Sequence, residues 1–149
     1  SACSAGRIEG GVFYSPKGYR VTLPPGAWRA SLNDRADLEL ARVGSRAGIL
    51  AHATCEGKPP ERPLPVLARH LSFGLAGRTL LEREVVTVAG RPGIRVLLDG
   101  LQAGTPVRVA AFVLKGEGCV FDLVYVAPPV DFEAGRGEFR DFVGSFAGS

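Results

Sequence analysis

Residues 36–43 alternate charged and aliphatic side chains, with Leu38 and Leu40 on one side and Asp37 and Glu39 on the other. A two-residue period of this kind is that of a half-buried strand. Gly44-Ser45-Arg46 turns the chain, and the strand-like run 47–55 completes a hairpin. Upstream, Val12-Phe13-Tyr14 and 19–23 predict two short strands around the turn Ser15-Pro16-Lys17-Gly18. Pro24-Pro25-Gly26 stops the second, and the lone Trp28 beyond it is expected to plug one end of the core. The period changes after the proline-rich stretch 56–63. Leu64, Leu67, Ala68, Leu71 and Leu75 recur at intervals of three and four, the pattern of one amphipathic helix, with Gly77 as its stop.

From residue 79 the pattern is that of strands again: 79–88, 93–101, 105–115 and 119–127, separated by turns at Asp99-Gly100 with Gln102-Ala103-Gly104 and at Gly116-Glu117-Gly118. Connections this short force antiparallel neighbours, because a parallel return needs a crossover of a dozen residues or more. In 107–114 and 120–126 both alternation classes are apolar, which predicts central strands covered on both faces. Pro128-Pro129 ends this meander, and Phe132, Phe139, Phe142, Val143 and Phe146 then recur at helical spacing. Gly135 and Gly137 disfavour helix, so its regular part is expected from Glu138, with 130–137 irregular.

Length and composition bound the rest. A chain of 149 residues, 46% hydrophobic and 22% charged, suits one domain with one core. No apolar run is long enough to cross a bilayer. The formal charge is +3, with arginines spread from Arg7 to Arg140 among Asp and Glu. No basic stripe results, which argues against nucleic-acid binding.

Ser1-Ala2-Cys3 has the form of the last three positions of a bacterial lipobox, and the sequence contains no Met. The expectation is that Cys3 carries lipid, that residues 1–11 are a tether and that 12–149 form the domain. A lipidated Cys3 places the protein in the cell envelope, on the periplasmic side. It also leaves Cys55 and Cys119 as an even pair, either bridged in that oxidising compartment or buried as two separate thiols.

Phe13-Tyr14-Ser15-Pro16 with Gly18-Tyr19, then Leu23-Pro24 and Trp28, Gly90 and Gly93 before a strand, and Phe142-Val143-Gly144-Ser145-Phe146 together resemble the PsbP-like fold family. The resemblance spans residues 12–146. It implies an α+β class, an α-β-α sandwich with a mostly antiparallel central sheet, one mid-chain helix and a C-terminal helix. It also implies an accessory or binding role.

Catalytic and metal chemistry find little support. His52, Cys55 and His70 are the candidates for a soft metal site, but His52 and Cys55 lie three apart and face opposite ways on a regular strand. No Gly-x-Ser-x-Gly elbow or phosphate loop occurs. Glu82 with Glu84 and Asp37 with Glu39 are paired carboxylates, expected on solvated strand faces. The sequence therefore predicts a lipid-anchored, non-catalytic envelope module with a protein partner and no cofactor. The alternative is a soluble exported domain holding a small ligand or metal between sheet and helix.

Overall fold

A computed structural model of the chain describes residues 6–33, 35–55 and 75–148. Strands β1 (Arg7–Glu9), β2 (Val12–Tyr14), β3 (Tyr19–Thr22) and β11 (Ala147–Gly148) form a small sheet in the order β1-β2-β3-β11. Strands β4 (Trp28–Ser31), β5 (Leu38–Arg42), β6 (Gly48–Thr54), β7 (Leu75–Val88), β8 (Arg91–Gln102), β9 (Thr105–Lys115) and β10 (Val120–Ala127) form a large one, ordered β4-β5-β6-β10-β9-β8-β7. Every neighbouring pair is antiparallel. Helix α1 (Phe132–Gly144) follows β10 and packs against it. The protein thus has two sheets where one was expected, because the first hairpin pairs with the chain end at β11 instead of joining the large sheet.

The two faces of the large sheet carry separate apolar clusters. On one, Leu38, Leu40, Phe121, Leu123 and Tyr125 meet Phe13, Tyr19 and Val21 of the small sheet and Phe132, Phe139 and Phe142 of α1. On the other, Ile94, Val96, Val109, Val113 and Val124 are buried together. Strands β9 and β10 contribute to both, as their two-sided apolar pattern requires. Rings dominate the first cluster: Tyr19 contacts Phe13, Phe121 and Phe146, and Tyr125 stacks on Phe139 at 5.5 Å.

Several expectations need correction. Residues 7–9, assigned to the tether, are strand β1. Gly10 and Gly11 take φ of 57° and 77°, the left-handed turn that folds β1 onto β2. Leu75 and Gly77, assigned to the mid-chain helix and its stop, lie in β7. Leu75 pairs with Gln102 and rests on Gly100, where an added Cβ would come within 3.3 Å of it. Gly77 stands at a register shift between Ala76 and Thr79, so it marks an irregularity in a strand. The remainder of that helix, residues 64–74, lies outside the described residues.

Asp99-Gly100, expected as a turn, is strand, and β8 turns into β9 at Ala103-Gly104. Helix α1 begins at Phe132 and not near Glu138, because Gly135 is needed where the helix touches β10. A Cβ at Gly135 would sit 2.5 Å from the Tyr125 hydroxyl, which donates a 2.8 Å hydrogen bond to the Phe132 carbonyl. Phe146 lies beyond the helix and leads into β11. Trp28 does pack on the core edge, but as the first residue of β4.

Candidate functional site

The large sheet is wider than the helix that lies on it, so β7 and β8 extend past α1 and leave a cleft along its flank. Register sets one wall. Arg95 of β8 stands opposite Glu84 of β7, and Leu97 opposite Glu82, so both carboxylates reach the same guanidinium from one face. Arg95 Nε donates to Glu84 Oε1 at 2.7 Å and Nη2 donates to Glu82 Oε1. The other wall is α1, where Arg136 and Arg140 are four residues apart and share a helical face. Ala110 and Phe112 of β9, with Phe139 of α1, make the floor of this half-open cleft of about 320 Å³.

Arg95 and Glu82 hold each other in their charged forms. Burial acts to lower the Arg95 pKa, but the hydrogen bonds and charges of Glu82 and Glu84 outweigh it and raise the value. The hydrogen bond from Arg95, then its charge, holds Glu82 below the usual carboxylate range, and Arg136 adds to this. A carboxylate held ionised is a poor proton donor near neutrality. The cleft instead offers guanidinium donors above an aromatic floor, an arrangement suited to binding.

A second polar group lies at the end of β6. Asp37 accepts hydrogen bonds from Lys17 Nζ at 2.7 Å, the Tyr19 hydroxyl at 2.8 Å and the Ala53 amide at 2.8 Å. Its side chain is only 12% exposed, so it does not sit on the solvated face expected for it. His52 Nδ1 is 3.4 Å from Asp37 Oδ1 and is buried without a hydrogen bond. Across the ladder from His52 stands Asp122, whose carboxyl burial pushes up to about 7. Burial, then the Asp37 charge, raises the Tyr19 hydroxyl.

The structure joins Cys55 and Cys119 in a disulfide, with their Cα atoms 4.2 Å apart. Cys55 is therefore not a thiolate ligand beside His52. Among the described residues no three His, Cys, Asp or Glu side chains are arranged to hold a metal ion. Cys3 and His70 lie outside the described residues. Glu82 and Glu84 are exposed, as expected for them, and clamp Arg95. The cleft itself was missed. Its arginines are scattered in sequence, and only the four-residue spacing of Arg136 and Arg140 and the Glu-x-Glu of β7 hinted that they share a surface.

No protein-family model matches the sequence, and no curated protein is similar to it. Solved structures do match. CyanoP, the cyanobacterial PsbP of Synechocystis sp. PCC 6803, superposes with a TM-score of 0.69 over 99% of this chain and 99% of its own, at 14% identity. LpqN, involved in cell envelope biogenesis of Mycobacterium tuberculosis, gives 0.63 over 89% and 85%, at 16% identity. A Pseudomonas aeruginosa protein of unknown function gives 0.60 over 83% and 99%, at 12% identity. At such identities the likeness concerns architecture alone. This chain has the PsbP-like fold.

Proposed function

We propose that this domain is a non-catalytic accessory module of the bacterial cell envelope, held to a membrane by lipid on Cys3 and engaging a protein partner on the periplasmic side. The Cys55–Cys119 disulfide carries the reading, because such bridges persist in oxidising compartments and are rare in the cytosol. Its structural likeness to an envelope-biogenesis protein, LpqN, supports the same address. Among the described residues no helix is long and apolar enough to cross a membrane, so attachment in this reading comes from acyl chains at Cys3. In this reading the paired carboxylates serve structure: Asp37 is engaged by Lys17, Glu82 and Glu84 by Arg95, and Asp99 by both Nε and Nη2 of Arg108.

Metabolic labelling with an alkyne fatty acid in a bacterium expressing the full-length precursor tests the anchor. Label should appear on the protein and vanish in Cys3→Ser. An unlabelled, freely soluble periplasmic protein would sink the anchor. A second reading, a small ligand held between sheet and helix, is favoured by one observation: the cleft between α1 and β7–β9 lies where such a ligand would sit.

A further inference from the structure

Arg136 and Arg140 lie one turn apart on α1, a spacing at which like charges repel. Arg136 has a partner on its solvent side, Glu133, at 3.1 Å. Arg140 is exposed and makes no ion pair among the described residues. The carboxylates across the cleft make their ion pairs with Arg95, and Glu82 reaches Arg136 by longer-range charge alone. What remains between the walls is Arg140, without an ion pair among the described residues, beside Arg136, paired only with Glu133, above the half-buried ring of Phe112.

We propose that this cleft binds a small amphiphilic anion. Its carboxylate or phosphate accepts hydrogen bonds from Arg136 and Arg140, and its aliphatic or aromatic body lies on Phe112. Guanidinium groups suit this task because their planar fork matches the oxygens of either anion. The floor argues against a bare inorganic anion: the half-buried ring of Phe112, backed by the buried Phe139 ring with centroids 5.9 Å apart, offers apolar area that phosphate alone would leave uncovered. At about 320 Å³ the cleft is at the small end of ligand sites, so it suits a short body. The inference rests on the ligand reading above and is independent of lipid at Cys3.

Calorimetric titration of the chain with octanoate and octyl phosphate tests it, with acetate, inorganic phosphate, octanol and octylammonium as counterparts. The two anionic amphiphiles should bind about tenfold or more tightly than acetate or phosphate, which lack the body, and than octanol, which lacks the charge. Octylammonium should give no binding. R136Q/R140Q should weaken octanoate by about tenfold or more, and the variant's ligand-free melting curve confirms that it is folded. E84Q should tighten it, by removing a negative charge from the rim and freeing Arg95. Heat indifferent to charge, or unchanged in a folded R136Q/R140Q, overturns the proposal and leaves the ligand reading to another surface. Acetate or phosphate binding as tightly as its octyl form overturns it as well. No heat from any of the six overturns the proposal, a melting temperature unmoved across a screen of metals and metabolites overturns the ligand reading, and fatty-acid label at Cys3 tests the anchor separately.

Discussion

Asp122 is a carboxyl on a central strand, flanked on one neighbour by His52 and on the other by Val113. Among the described residues no charge partner offsets its burial, which moves its pKa from 3.8 up to about 7. The sign follows from proton counting. Between these values the folded state holds a proton that the unfolded chain has released, so stability falls as pH rises. The contribution is fully present below pH 3.8 and lost by about pH 7, with about 4 kcal/mol as its ceiling. Glu82 and Asp99, lowered first by hydrogen bonds from Arg95 and Arg108, act in the opposite sense and only at acid pH. Asp122→Asn fixes the neutral form, so its unfolding midpoint in urea should stay level from pH 4 to pH 8 where the parent's declines. Parallel profiles for parent and variant would show that Asp122 ionises in the folded protein as it does in the unfolded one. The sequence placed Asp122 in a strand buried on both faces, but burial without a partner depends on which residues of β6 and β9 stand beside it, and that is a matter of register.

Two glycines in α1 with the same sequence signature play opposite parts. Gly135 is buried against the Tyr125 hydroxyl, whereas nothing lies within 4 Å of the position a Cβ would take at Gly137. Ala is the better helix former at both by about 0.8–1.0 kcal/mol. Gly137→Ala should therefore stabilise the protein by up to about 1 kcal/mol. Gly135→Ala should destabilise it by about 1–3 kcal/mol, because the methyl displaces a fully buried tyrosine and breaks its bond to the Phe132 carbonyl. Urea denaturation of the two variants checks this, and equal effects would remove Gly135 from the helix contact. Helix propensity alone led to the late start at Glu138, since propensity registers the cost of a glycine but not the contact it permits. The meander was legible for the reason that the helix start was not. Alternation and short turns are local signals, and they located β5, β6, β9 and β10. Strand β11, by contrast, has two residues, Ala147 and Gly148, and exists only through pairing with Arg20 and Tyr19 more than a hundred positions away. The cleft likewise depends on a placement that no local pattern reports, that of α1 over Ala110 and Phe112 of β9.

The disulfide acts on the molecule as a whole. Thr54 pairs with Val120 at the end of the β6–β10 ladder, so Cys55 and Cys119 occupy the next cross-strand step, and the bridge continues a register that the sheet already sets. It joins positions 64 apart, and the loop it closes contains β7, β8 and β9. In the chain-entropy model, closing a loop of that length stabilises the fold by about 4 kcal/mol, through loss of freedom in the unfolded chain. Cys55 is exposed and Cys119 only partly buried, so replacing the pair removes little core packing. These origins predict different denaturation curves. If the effect lies in the unfolded chain, Cys55→Ala/Cys119→Ala should lower stability by about 4 kcal/mol and raise the urea m value, because the opened chain exposes more surface. If it lies in native contacts, the midpoint should fall with the m value unchanged. Reducing the parent should reproduce the variant's curve under the first outcome, and a domain that meets this test loses stability of the order of a whole protein's margin in a reducing compartment. That dependence ties the sheet register to the proposed extracytoplasmic address, since the same bridge that extends the β6–β10 ladder persists where thiols are oxidised.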